Sequence, residues 1–155
     1  MGNLTVKGLD SLVDFTNEIA SQTDAIIKAS MYEGVKILAD EAKKAVEGLR
    51  TESGGQTPRY ITKIQKDGLK EGLGVARFRK EDGKWTTVIG FNGYNRLRTR
   101  KYPNGQPNQL IARSVESGTS YQKKEPFMRK AYNNARAKAI AAVQAQAIKE
   151  IERRK

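Results

Sequence analysis

From Pro126 to Ile151 the chain reads as one unbroken helix, and its apolar positions constrain the fold more than any other feature. Proline suits the first turn of a helix, because its missing N–H is one of the donors left unpaired there and its φ is already set. Ala131, Ala135, Ala139 and Ala142 make a strip small enough for another backbone to approach closely. Ile140, Val143, Ala147 and Ile151 make a second apolar strip beside it. A helix of this kind needs neighbours along its length, and the two strips predict two of them. Glu125 at its start and Arg153, Arg154 and Lys155 at its end match the helix dipole in sign.

A second long helix is available to meet it. Thr23 can cap a segment in which Ile27, Met31, Gly34, Leu38, Ala42, Ala45 and Leu49 repeat every three or four residues. Lys28, Glu33, Lys36, Asp40, Lys43, Lys44 and Glu47 fall on its solvated side, over a length of roughly 40 Å. Gly34 predicts close approach of another backbone. The helix stops near Arg50, because Ser53, Gly54, Gly55 and Pro58 supply turn conformations, so residues 51–59 read as a loop. Ahead of it, Leu9, Leu12, Phe15 and Ile19 fit a short docking helix capped by Asp10 or Ser11.

Between the long helices the pattern turns to strands. Leu73, Val75 and Phe78, then Trp85, Val88, Ile89 and Phe91, flank Glu81-Asp82-Gly83, and Asp-Gly is a strong hairpin signal. A hairpin is expected over residues 73–91. Leu110, Ile111, Ala112 and Val115 predict a further strand ending at the Gly118 turn, for a sheet of three or four strands. Gly68, Gly72 and Gly74 lack the Gly-Lys-Ser/Thr ending of a phosphate loop and the spacing of a dinucleotide fingerprint, and are read as shaping a strand entrance. The expectation is a single α+β domain over residues 1–155: a small antiparallel sheet packed with a long N-terminal and a long C-terminal helix.

Residues 92–109 form an extended basic loop with turn formers, charge and no apolar periodicity. Connections of this length inside a compact domain usually bind something, and this one is expected to order on a partner. Arg96, Arg98, Arg100 and Lys101 cluster beside Tyr94 and Tyr102, a set able to contact phosphates and to stack on bases or on protein. In an extended backbone Arg96, Arg98 and Arg100 would share one side. Phosphate and carboxylate suit the same guanidinium fork, so DNA and the acidic half of a neighbouring subunit fit equally well.

Charge sharpens this picture. The 155 residues carry a formal net charge of +12, but residues 1–55 are net −3 and residues 56–155 net +15, with no Asp or Glu between Gly83 and Val115. One face is expected to meet a polyanion or an acidic protein surface. The chain has no His and no Cys, which removes the commonest general base, the thiol nucleophile and the usual zinc ligands. Ser114, Ser117 and Ser120 therefore have no imidazole partner. Glu71, Glu81, Asp82, Glu116 and Glu125 form no metal-binding pattern. No enzyme, cofactor or metal is expected. No run of about 18 apolar residues exists and the first residues lack a basic start, so neither a membrane span nor a signal peptide is expected.

The order of several short words resembles the neck family of long-tailed bacteriophages, the head-to-tail joining or tail-completion proteins. The words are Val6-Lys7-Gly8-Leu9-Asp10 with Leu12, the long second helix, Val115-Glu116-Ser117-Gly118-Thr119-Ser120, and Pro126-Phe127-Met128-Arg129-Lys130-Ala131. The resemblance covers most of the chain. It implies an α+β protomer built into a ring around the DNA passage, hexameric in the virion and monomeric in isolation. Head-closure or connector proteins and tail proteins would be its partners, in the virion neck and, during assembly, in the host cytoplasm. It also implies structural roles: Glu116, Gly118 and Thr119 in the turn that aims the last helix, Pro126 and Phe127 in its anchoring, and the basic loop toward a neighbour or the channel. A sequence-independent nucleic-acid-binding protein is the alternative.

Overall fold

The computed structural model describes residues 3–4, 23–53 and 58–155. The elements run β1 (Asn3–Leu4), α1 (Thr23–Glu47), α2 (Lys63–Gly72), β2 (Leu73–Val75), β3 (Arg79–Glu81), β4 (Lys84–Phe91), α3 (Asn108–Ser117) and α4 (Phe127–Arg153). The fold is α+β, with a small antiparallel sheet against two long helices. The expected docking helix at Leu9–Ile19 lies outside the described residues, as does the middle of the 51–59 loop.

The two long helices lie side by side in opposite directions. On α4 every fourth residue is buried: Phe127, Ala131, Ala135, Ala139, Val143, Ala147 and Ile151. On α1 the same step runs through Ile26, Ser30, Gly34, Leu38, Ala42 and Val46, with Met31 and Val35 beside it. Four residues advance about 40° past a full turn of a helix with 3.6 residues per turn. The contact strip therefore winds round each helix in the right-handed sense that a repeat longer than 3.6 imposes. Close approach is visible at Gly34, where a Cβ would collide with Val143 Cγ2 and press on the Ala139 carbonyl. Ser30 sits in the strip at no polar cost, its hydroxyl donating to the Ile26 carbonyl at 2.6 Å.

The expected pair of strips on α4 is thus one. Val143, Ala147 and Ile151 continue the alanine line, while Ile140 and Ala142 are half-buried at its margin. Among the described residues the one long neighbour of α4 is α1.

The hairpin spans the expected residues 73–91. β4 is the central strand, with β1 on one edge (Asn3 opposite Val88, Leu4 opposite Thr87) and β2 and β3 on the other. Leu73 pairs with Phe91 and Val75 with Ile89, but Arg79 pairs with Thr86, so one extra residue lies between β2 and β3. This is a bulge. Ala76 holds it, donating its N–H to Val88 O at 2.8 Å and accepting from the Thr87 hydroxyl at 2.7 Å. At the tip Asp82 (φ 50°) and Gly83 (φ 76°) are both left-handed, the conformation of a two-residue turn that matches strand twist.

Thr87, Ile89 and Phe91 bury one face of β4. Ile89 joins Val35, Leu38 and Ala42 of α1 and Ala135 and Ala139 of α4. Phe91 joins a second cluster with Val46, Leu49, Ile61, Leu69, Ile111, Ala112, Val115 and Phe127. Its ring meets that of Phe127 at 5.9 Å between centroids and 53° between planes.

The expected strand at Leu110–Val115 is instead part of α3. Ile111 N donates to Pro107 O at 3.3 Å and Gly118 N to Ser114 O at 2.8 Å, and Ile111, Ala112 and Val115 fall together on the buried face of the helix. Pro107 fixes the backbone at its start, with φ −61°. Helix α2 is a further addition, opened by a reciprocal capping box in which Thr62 and Gln65 satisfy each other's backbone N–H groups.

Two predictions follow from this packing. Truncating the ring between the sheet and both helices, Phe127→Ala, should lower unfolding free energy by about 3–5 kcal/mol in urea titration. At the other end of α1, Asp24 ties the helix to the hairpin, accepting from Lys80 Nζ at 2.9 Å and Trp85 Nε1 at 3.1 Å, with Lys28 Nζ 4.4 Å from the Trp85 ring centre. The Lys80 hydrogen bond first, then that from Trp85, hold its carboxyl below the ordinary 3.8. A carboxylate with a lowered folded pKa stabilises the fold above its unfolded value and loses that effect as pH falls through the folded one. The stability gap between wild type and Asp24→Asn should therefore be present at pH 7 and close only below about pH 3.8, read by urea midpoints across pH.

Candidate functional site

The basic loop runs over residues 92–107, two residues shorter than expected because Asn108 and Gln109 already belong to α3. It is not structureless. Tyr94 bridges Pro107, Asn95 N–H donates to Gln106 O at 2.9 Å, and Thr99 and Tyr102 exchange backbone hydrogen bonds at 3.0 and 3.1 Å. These pairs share one antiparallel register, so the loop is an irregular arch whose tip is Arg100-Lys101.

The root of the arch is set into α2. Asn95 and Asn108 are almost fully buried, at 3% and 2% exposure. The Asn95 carboxamide oxygen accepts from Leu97 N at 2.9 Å and Gln106 N at 3.2 Å, while Asn108 Nδ2 donates to Asn92 O at 2.8 Å. Gln65 of α2 donates to the Gln106 side chain at 2.8 Å. The side chains of Asn95 and Asn108 fit because α2 presents Gly68 and Gly72 one turn apart. A Cβ at Gly68 would lie 2.5 Å from Asn95 Cβ and 2.6 Å from Asn108 Oδ1, and one at Gly72 would strike the Asn92 carbonyl. Of the glycines read as a strand entrance, Gly68 and Gly72 are a seat for the loop, while Gly74 lies in β2. Gly105, at φ 105°, has no room for a side chain beside the Asn95 carbonyl.

This mounting projects the cations outward. Arg96, Arg98, Arg100 and Lys101 are exposed, while Leu97 and Thr99 between them are half-buried, so the arginines do lie on the solvent side. Arg96 approaches Glu71 at 3.9 Å with both side chains largely exposed, a pair of little energetic value. Arg98 and Arg100 form none of the ion pairs found among the described residues. Tyr94 is 67% exposed, and Tyr102 is half-buried with Lys101 Nζ 5.5 Å from its ring centre. The arrangement offers hydrogen-bond donors, positive charge and one exposed aromatic ring.

The residues from Glu116 to Phe127 form a helix–helix corner. Glu116, in the last turn of α3, accepts from Met128 N at 2.9 Å and Arg129 N at 3.1 Å, capping α4, whose preceding Pro126 has no side-chain cap to offer. Gly118 turns the chain at φ 73°, with Lys124 packed where a side chain would stand. Thr119 Oγ1 closes the next turn, accepting from Gln122 N at 2.9 Å, and Glu125 N donates back to Val115 O at 2.8 Å. These contacts fix the angle between α3 and α4. The builders that sequence reasoning missed are Asn95, Gln106 and Asn108, for which the Gly68/Gly72 spacing was the available signal.

No family model, no curated protein and no solved structure matches this chain.

The seat and the cations should respond differently to mutation. Gly68→Ala gains about 1 kcal/mol of helix propensity but loses more to overpacking, typically about 1–3 kcal/mol, so it should lower the urea midpoint. Arg98→Ala/Arg100→Ala should leave unfolding free energy within about 0.5 kcal/mol of wild type.

Proposed function

We propose that this chain is a non-enzymatic structural subunit of a tailed-bacteriophage neck, forming part of the ring that joins the DNA-filled head to the tail around the DNA channel. The observation that carries the reading is the arch at residues 92–107. It is a preformed, cation-tipped projection on a rigid helix–sheet body, with Arg98 and Arg100 outside the described ion pairs. A ring subunit needs such a part, able to reach a neighbour's acidic surface or the phosphates of passing DNA without ordering a loop first. The order of the sequence words that resemble the neck family supplies the rest of the case.

In this account the mechanism is shape and electrostatics. The protomer keeps its fold alone and joins a closed ring, hexameric in the virion, when head-closure and tail proteins present its binding surfaces. Ring contacts then stabilise it by mass action. The exposed guanidinium and ammonium groups with Tyr94 also favour a second reading, a sequence-independent nucleic-acid binder.

Native mass spectrometry over a concentration series, with and without short duplex DNA, separates the two. The neck reading expects closed rings, or monomers indifferent to DNA at physiological salt. Stoichiometric DNA complexes at low micromolar concentration without rings would replace it with the second reading.

A further inference from the structure

Away from the arch, a cleft of about 470 Å³ opens between the end of α1, the start of α4 and the segments around residues 60 and 123. Its walls bring together Lys44, Arg50, Lys123, Lys124 and Lys130, against two acids, Glu41 and Glu125. These cations come from separate stretches of chain, so the fold, rather than a run of sequence, collects them. Among the described residues, Lys44 is the one of these cations in an ion pair, with Glu41 at 3.9 Å. Ala45, Leu49, Phe127 and Ala131 supply apolar lining.

The wall at Tyr60 is built with care. Glu52 accepts from Arg59 N at 2.8 Å and Tyr60 N at 3.3 Å, and Glu52 N donates to Ile61 O at 2.9 Å, which fixes residues 50–52 beside 59–61. Arg59 O accepts from Lys123 N at 2.9 Å, drawing the third segment in. Arg50 then donates to the Tyr60 hydroxyl at 3.2 Å, and Arg50 and Lys123 stand 5.7 and 5.9 Å from the ring centre. The hydroxyl accepts from Arg50 and keeps its own hydrogen to donate.

We propose that this cleft binds the phosphate of a nucleotide, as a free nucleotide or within a nucleic-acid strand. Five cations around two acids leave the cleft with an excess of positive charge that suits an anion, and the Arg50 fork with the Tyr60 hydroxyl offers directed donors to phosphate oxygens. A cleft of this volume also holds the attached sugar or base over the apolar lining. The hydrogen bond from Arg50, then Lys123, already lowers the Tyr60 pKa from its ordinary 10.0, so the local potential is positive where the anion would sit.

The test uses the full chain, fluorescence anisotropy with labelled oligo-dT and with a fluorescent ATP analogue, and pyrophosphate as competitor. Lys123→Gln/Lys124→Gln should bind about tenfold more weakly, and the slope of log affinity against log salt for the strand should fall by about 1.4. Its urea midpoint should match wild type. Saturating ligand should return Tyr60 ionisation toward the ordinary range, read by ultraviolet titration at roughly the phenolate band with Tyr60→Phe as baseline. ATP bound as tightly as the strand assigns the free nucleotide, and the strand bound alone assigns nucleic acid; either upholds the site. Equal binding by the double variant, displacement by a poly-Glu peptide but not by pyrophosphate, or a Tyr60 titration unmoved at saturation would overturn it.

Discussion

The close approach of α1 and α4 is the constraint on which the rest of the structure depends. Ala131, Ala135, Ala139 and Ala147 on α4 and Gly34 on α1 remove the side-chain bulk that would otherwise hold the axes apart. Each alanine buries little area, so the pair gains its stability from length and from the larger groups at one end, where Val46, Leu49 and Phe127 meet the sheet and the shorter helices. Because α4 lies along α1, its first turn arrives beside the last turn of α3, where the Glu116 carboxylate receives it. Because α1 lies under β4, Ile89 and Phe91 reach the two apolar clusters. A larger residue in the strip would shift the sheet and the corner together.

Legibility in the sequence followed the range of the interactions. The long helices and the hairpin rest on local periodicity and on Asp82-Gly83, whose turn chemistry is contained in a few residues, and their ends were readable to within three residues. Gly34 was readable as a site of close approach, although nothing local named Val143 as the group approached. The segment at 110–115 was misread because a short apolar run fits either period, and the backbone hydrogen bonds of α3 decide between them. Helix α2 was missed although Thr62 and Gln65 spell its cap, the three glycines among residues 68–74 being read as a strand entrance. Gly68 and Gly72 make room for Asn95 and Asn108, more than twenty residues away in sequence, and their spacing of one helical turn is the one local trace of that seat.

The same split applies to the candidate sites. The cations and tyrosines of the arch were visible as a cluster, because they are consecutive or nearly so. Their rigid mounting was not, since it depends on two buried asparagines and a glutamine from another helix. The cleft at Tyr60 was invisible, because its cations are scattered from Lys44 to Lys130 and converge only in the fold. Length and polarity suggested a segment that orders on a partner; the buried carboxamides reverse that expectation by satisfying the loop's backbone from within.

The central claim is that the basic arch is a preformed part, carried on the helix pair and ready to meet its partner without a folding step. Amide hydrogen exchange of the isolated chain, followed residue by residue, tests it most directly. The account predicts strong protection at Asn95, Leu97, Tyr102 and Gln106, whose N–H groups are all hydrogen-bonded within the loop or its root. Exchange at these amides as fast as in an unstructured peptide, with α1 and α4 still protected, would contradict it.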